Sequence, residues 1–111
     1  MELKTLESTD KASVVALIGH LGLEATQKIE ASFKRATSGT HKSSVVDMSG
    51  VTFISSYGVR MFLDVLQSLE KEGKKLLLVA PQPEVKEILV ACEMDTLAGI
   101  CDTKEAALAA V

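Results

Sequence analysis

Two adjacent hydroxyls, Ser55 and Ser56, stand between an apolar β-branched run ending at Met48 and an amphipathic segment opening at Tyr57. The first helically spaced apolar residue of that segment is Val59, which predicts Ser56 as the N-cap, its oxygen facing free backbone N–H groups and the positive end of the helix dipole. A phosphoryl group there adds about −1.5 to −2 charges and three acceptor oxygens, a large local change. Serine-nucleophile catalysis is the alternative chemistry for this pair. No supporting base or oxyanion geometry can be assigned to it from spacing, so the chain reads as a non-enzyme without catalytic residues.

The remaining reactive side chains do not assemble into a second constellation. His20 and His41 belong to no Ser-Asp or zinc-ligand grouping, and Asp47, an isolated carboxylate at a strand end, reads as a turn cap rather than a metal ligand. Gly50 and Gly58 lack the Lys-Ser/Thr ending of a phosphate-cradling loop, and no dinucleotide fingerprint is present. Cys92 and Cys101 are too few and too far apart for zinc or paired redox chemistry, and are predicted as free thiols among small core residues. No metal and no cofactor is therefore called for. On the segment after Ser56, Tyr57, Arg60, Met61, Asp64 and Ser68 cluster away from the apolar stripe. An aromatic and a thioether beside a charge suit protein contact, which predicts a partner-binding surface of Ser55, Ser56, Tyr57, Gly58, Arg60 and Met61.

The elements that must position these residues follow from periodicity. Leu3 to Leu6 and Ser13 to Ile18 read as strands of a hairpin around Ser8-Thr9-Asp10-Lys11. A first helix runs from about Leu23 to Thr37, with Ile29, Phe33 and Ala36 on one face and Ser38-Gly39 as its stop. Ser44 to Met48 lacks polar alternation and reads as a central strand covered on both faces. The second helix, Tyr57 to about Lys71, carries Val59, Phe62, Leu63, Leu66 and Leu69 as one stripe and stops at Gly73. Lys75 to Ala80 is another buried strand, and Pro83 opens a third helix with Val85, Ile88, Leu89 and Cys92 on one face. Leu97 to Cys101 is a further strand, and Asp102 with Glu105 resembles a capping arrangement for a last Ala-rich helix through Ala110. Alternating strands and helices call for parallel pairing, and the opening hairpin for an antiparallel edge. The predicted fold is α/β, a mixed and mostly parallel sheet of four or five strands with packed helices.

Composition narrows the partners. The 111 residues are 47% hydrophobic and 24% charged, enough for one compact domain spanning 1–111. Twelve basic against fifteen acidic side chains leave a formal charge of −3, without the basic surplus that nucleic-acid binding requires. Neither a signal-peptide layout nor an apolar run long enough for membrane insertion is present, which predicts a cytoplasmic protein. Self-association is not legible.

Ile54-Ser55-Ser56-Tyr57-Gly58-Val59-Arg60, preceded by Val45-Val46-Asp47-Met48-Ser49-Gly50-Val51, resembles the signature of STAS domains of the anti-sigma factor antagonist type. Gly19-His20-Leu21 before the first helix is similar to the family's Gly-x-Leu stretch, and the order of the later elements agrees across nearly the whole chain. Alignment on Gly58 implies Ser56 as the phosphoacceptor. Ser55 occupies the usual Asp position, Tyr57 replaces a usual small residue, and Gly22 stands where many members carry Asp. The resemblance implies a phosphorylation-switched regulator of transcription. Unmodified, it binds an anti-sigma factor serine kinase and frees a sigma factor; phosphorylation breaks the complex, and a serine phosphatase resets it. A STAS scaffold, or a regulatory subunit of another complex, that is never phosphorylated is the alternative within the same family.

Overall fold

The computed structural model describes residues 1–111, which form a five-stranded sheet in the order β1-β2-β3-β4-β5. The strands are β1 (Glu2–Ser8), β2 (Ala12–Leu21), β3 (Ser43–Ile54), β4 (Leu76–Val79) and β5 (Gly99–Cys101). Only β1 is antiparallel; the pairs β2–β3, β3–β4 and β4–β5 are parallel. This is the mixed sheet expected from the sequence. The opening hairpin turns on Thr9, whose Oγ1 accepts from the Ala12 amide at 3.0 Å while its own amide donates to the Ala12 carbonyl at 2.8 Å.

Four α-helices connect the strands and a fifth follows the last: α1 (Leu23–Ala36), α2 (Ser56–Lys71), α3 (Pro83–Ala91), α4 (Met94–Leu97) and α5 (Lys104–Ala110). The first four pack on one face of the sheet. There Val15, Leu17, Val46, Met48, Leu76 and Leu78 meet Phe33, Phe62, Leu69, Leu89 and Met94 in the main core. Phe33 of α1 and Phe62 of α2 touch edge to face, with ring centroids 5.5 Å apart. The other face is covered by α5 alone, whose Ala107 sits over Val14, Val45, Leu77 and Val79. Residues of β2, β3 and β4 thus alternate between two apolar layers, which explains why these strands show no polar alternation.

Several local expectations need correction. β3 does not stop near Gly50 but continues to Ile54. Its register against β2 shifts twice, and Gly50 lies under Ile18, where an added Cβ would come within 3.0 Å of the Ile18 side chain. A glycine read as a boundary is here a site of close strand contact. Cys92 is not in the core: it is the exposed C-cap of α3, while Cys101 is half-buried on β5. The last helix is capped by Thr103 rather than Asp102, its Oγ1 accepting from the Ala106 amide at 3.1 Å. One short helix, α4, precedes the final strand and takes Leu97 from the stretch read as that strand; four residues are too few to display a helical period.

Candidate functional site

The turn from β3 into α2 is built by Ser55. Its amide and its hydroxyl both donate to the Leu21 carbonyl, at 2.9 and 2.8 Å. The same Oγ accepts from the Gly58 amide at 3.3 Å, and the Ser55 carbonyl accepts from the Val59 amide at 3.0 Å. Ser55 is therefore the N-cap, one residue earlier than the sequence suggested, and Ser56 is the first helical residue. The shift has a physical cause. The Leu21 carbonyl takes both the amide and the hydroxyl of Ser55, which fixes that residue as the cap and starts the helix one residue sooner.

This exchange separates the roles of the two serines. The Ser55 hydroxyl is half-buried and engaged on both sides, tying the end of β2 to the start of α2. Ser56 is exposed. A helix start leaves its first amides without intrahelical acceptors. Here the amides of Ser55 and Gly58 are satisfied, so those of Ser56 and Tyr57 remain to receive an anion at the positive end of a 16-residue helix.

The predicted contact surface is only partly on the surface. Tyr57 is 52% exposed and Arg60 is exposed, but Met61 is fully buried in the main core, and Gly58 is buried against Ile54 and Leu21. Met61 shares a row with Gly58, Val65 and Leu69, at spacings of three, four and eight residues. Because α2 packs against α1 as well as the sheet, its buried face is wider than one stripe, and Met61 lies on the added side. Gly58 acts by being small. A Cβ there would lie 2.8 Å from Cγ1 of Ile54.

Residues that sequence reasoning passed over stand at the same end of the sheet. Phe53, 40% exposed, stacks on His20 with ring centroids 4.5 Å apart and planes 21° from parallel. The two face each other in the β2–β3 register, one step before Leu21 and Ile54. Leu23, at the start of α1, is another exposed large apolar residue. An open hollow of about 750 Å³, lined by Met1, His20, Gly22, Leu23 and Lys28 among others, adjoins them. The available signal was Val51-Thr52-Phe53-Ile54, a β-branched and aromatic run after Gly50 into which the strand could continue. Asp47 is not part of this group: its Oδ1 accepts from the Ser49 amide at 2.9 Å, a turn contact. His41 is bonded to Glu72 at 2.7 Å, near the far end of α2.

A family model for the STAS domain matches residues 4–107. The candidate anti-sigma factor antagonist BtrV of Bordetella bronchiseptica is 24% identical over 106 residues, covering 96% of this chain and 91% of that protein. Among solved structures, an anti-sigma factor antagonist from Mycobacterium paratuberculosis is similar with a TM-score of 0.84 at 25% identity, over 99% of this chain and 94% of that one. The Bacillus cell fate determinant SpoIIAA in its phosphorylated form has the same fold, with a TM-score of 0.69 at 20% identity, over 96% of both chains. With the match running from β1 into α5 and the fold in agreement, the chain belongs to the STAS domain family.

Proposed function

We propose that this chain is an anti-sigma factor antagonist whose binding to a kinase-type anti-sigma factor is switched by phosphorylation of Ser56. The observation that carries the reading is the contrast between neighbours: Ser55 is consumed in the turn, while Ser56 is exposed at the first position of α2. The kinase supplies nucleotide and magnesium, and this chain supplies only the acceptor oxygen. A serine phosphatase resets the switch. The names borne by the Bordetella and Mycobacterium relatives, and the phosphorylated form of the Bacillus protein, support this assignment.

The docking surface comprises Ser56, Tyr57 and Arg60, with the exposed Phe53, stacked on His20, and Leu23 extending it. It mixes aromatic area with a guanidinium, a composition common at protein interfaces. A phosphoryl group on Ser56 is accommodated within the domain by the free amides of the first turn. Across a close interface the same dianion brings volume, desolvation and repulsion. A loss of about 3 kcal/mol weakens association more than a hundredfold.

Affinity capture with wild type, Ser56→Ala and Ser56→Asp tests the switch, together with mass spectrometry of the protein from its host under opposing growth conditions. Selective loss of one kinase-like partner from the Asp variant is expected, with phosphate on Ser56 in one condition. Identical partner sets and repeated absence of the phosphate would favour the constitutive scaffold. That reading draws on Ser55 and Tyr57, which depart from the family pattern beside the acceptor.

A further inference from the structure

At the opposite end of α2 from Ser56, a groove of about 320 Å³ opens where the helix, β4, α4 and α5 converge. Its apolar wall combines the buried Leu66 of α2 and Leu76 of β4 with Leu97, Ala98 and Ala110. Leu97 is a large side chain left 49% exposed at the end of a helix of four residues. The rim is charged and mostly of one sign: Lys74 and Lys75 against Glu70.

The two lysines ride on an ordered turn. Gly73 adopts a left-handed conformation, with φ of 71°, and closes α2: its amide donates to the Glu70 carbonyl at 3.0 Å, and that of Lys74 to the Leu69 carbonyl at 2.8 Å. The Lys75 amide donates to Ser43 Oγ at 3.0 Å, and its ammonium to the Ala110 carbonyl at 2.9 Å, which holds the charge at the mouth. Neither lysine is paired with a carboxylate.

We propose that this groove is a binding site for a straight-chain fatty carboxylate, with the alkyl chain along Leu97, Ala98 and Ala110, over the floor formed by Leu66 and Leu76, and the carboxylate at the ammonium groups of Lys74 and Lys75. An apolar trough with a few polar groups at one end is the usual build of a small-molecule site. The two ammonium groups select an anionic head over a cationic one. The site is separate from Ser56 and does not rest on the switch.

Decanoate, titrated below its micelle-forming concentration and followed by methyl and amide NMR of the full chain, tests the assignment. Saturable shifts should be confined to Leu66, Leu76, Leu97, Ala98 and Ala110. Decylammonium, Lys74→Glu and Leu97→Asp should each weaken binding by about tenfold. Both substitutions fall on exposed residues, and an unchanged melting midpoint confirms that the variants remain folded. Absence of saturation, shifts that map to the hollow beside His20, or equal affinity for decylammonium would overturn the proposal. So would concentration-dependent shifts of the groove without decanoate, which would mean that a second copy of the chain covers it.

Discussion

The hydroxyl of Ser55 is held between the Leu21 carbonyl and the Gly58 amide, whereas that of Ser56, one residue on, is exposed. Ser55→Ala removes an N-cap and a bond across to β2, and should lower stability by about 1–2 kcal/mol in urea unfolding. Ser56→Ala removes no intramolecular bond, so its midpoint should stay within about 0.5 kcal/mol of wild type. A reversed order of these two values would reassign the cap. The same logic divides Arg60 from Met61. Met61→Ala leaves a cavity in the main core and should cost about 2–5 kcal/mol, while Arg60→Ala should leave the unfolding curve nearly unmoved and act on partner affinity.

At the scale of elements, the joint between β3 and α2 depends on a residue without a side chain. In Gly58→Ala, the helical preference of Ala gains up to about 1 kcal/mol, but the new methyl presses on Ile54 and Leu21 and should cost about 1–3 kcal/mol. Net destabilisation in thermal unfolding is the expected result; a stabilised variant would mean that the joint has slack. Elements with strong periods were legible in the sequence. The extent of α2 but for one residue at its start, its stop at Gly73 and Pro83 at the first turn of α3 agree with the patterns that announced them. What escaped depends on partners distant in the chain. Met61 is buried because α1 packs beside α2, and β3 extends past Gly50 because β2 lies alongside it. The Phe53–His20 stack joins residues 33 positions apart, so neither ring announces it alone. The signature around Ser56 identified the turn, but which serine caps it was decided by the Leu21 carbonyl, a backbone group that residue type does not reveal.

Across the whole molecule, the two faces of the sheet are unequally protected: four helices guard one, and seven residues of α5 the other. Removing the segment after Asp102 should uncover Val14, Val45, Leu77 and Val79 and produce concentration-dependent self-association, measurable by light scattering. A monodisperse truncated chain would show that the thin cover is dispensable. α5 is also fastened at both ends, by the Lys104 ammonium to Glu7 of β1 at 3.2 Å and by the Lys75 ammonium to the Ala110 carbonyl. Each exposed tether is individually weak, worth at most about 1 kcal/mol for the ion pair. Together they place the outermost antiparallel strand and the closing helix, remote in sequence, under one clasp. The two margins of the polypeptide should therefore loosen in concert, exchanging their amide hydrogens as a single cooperative patch while the ribs between them stay shut.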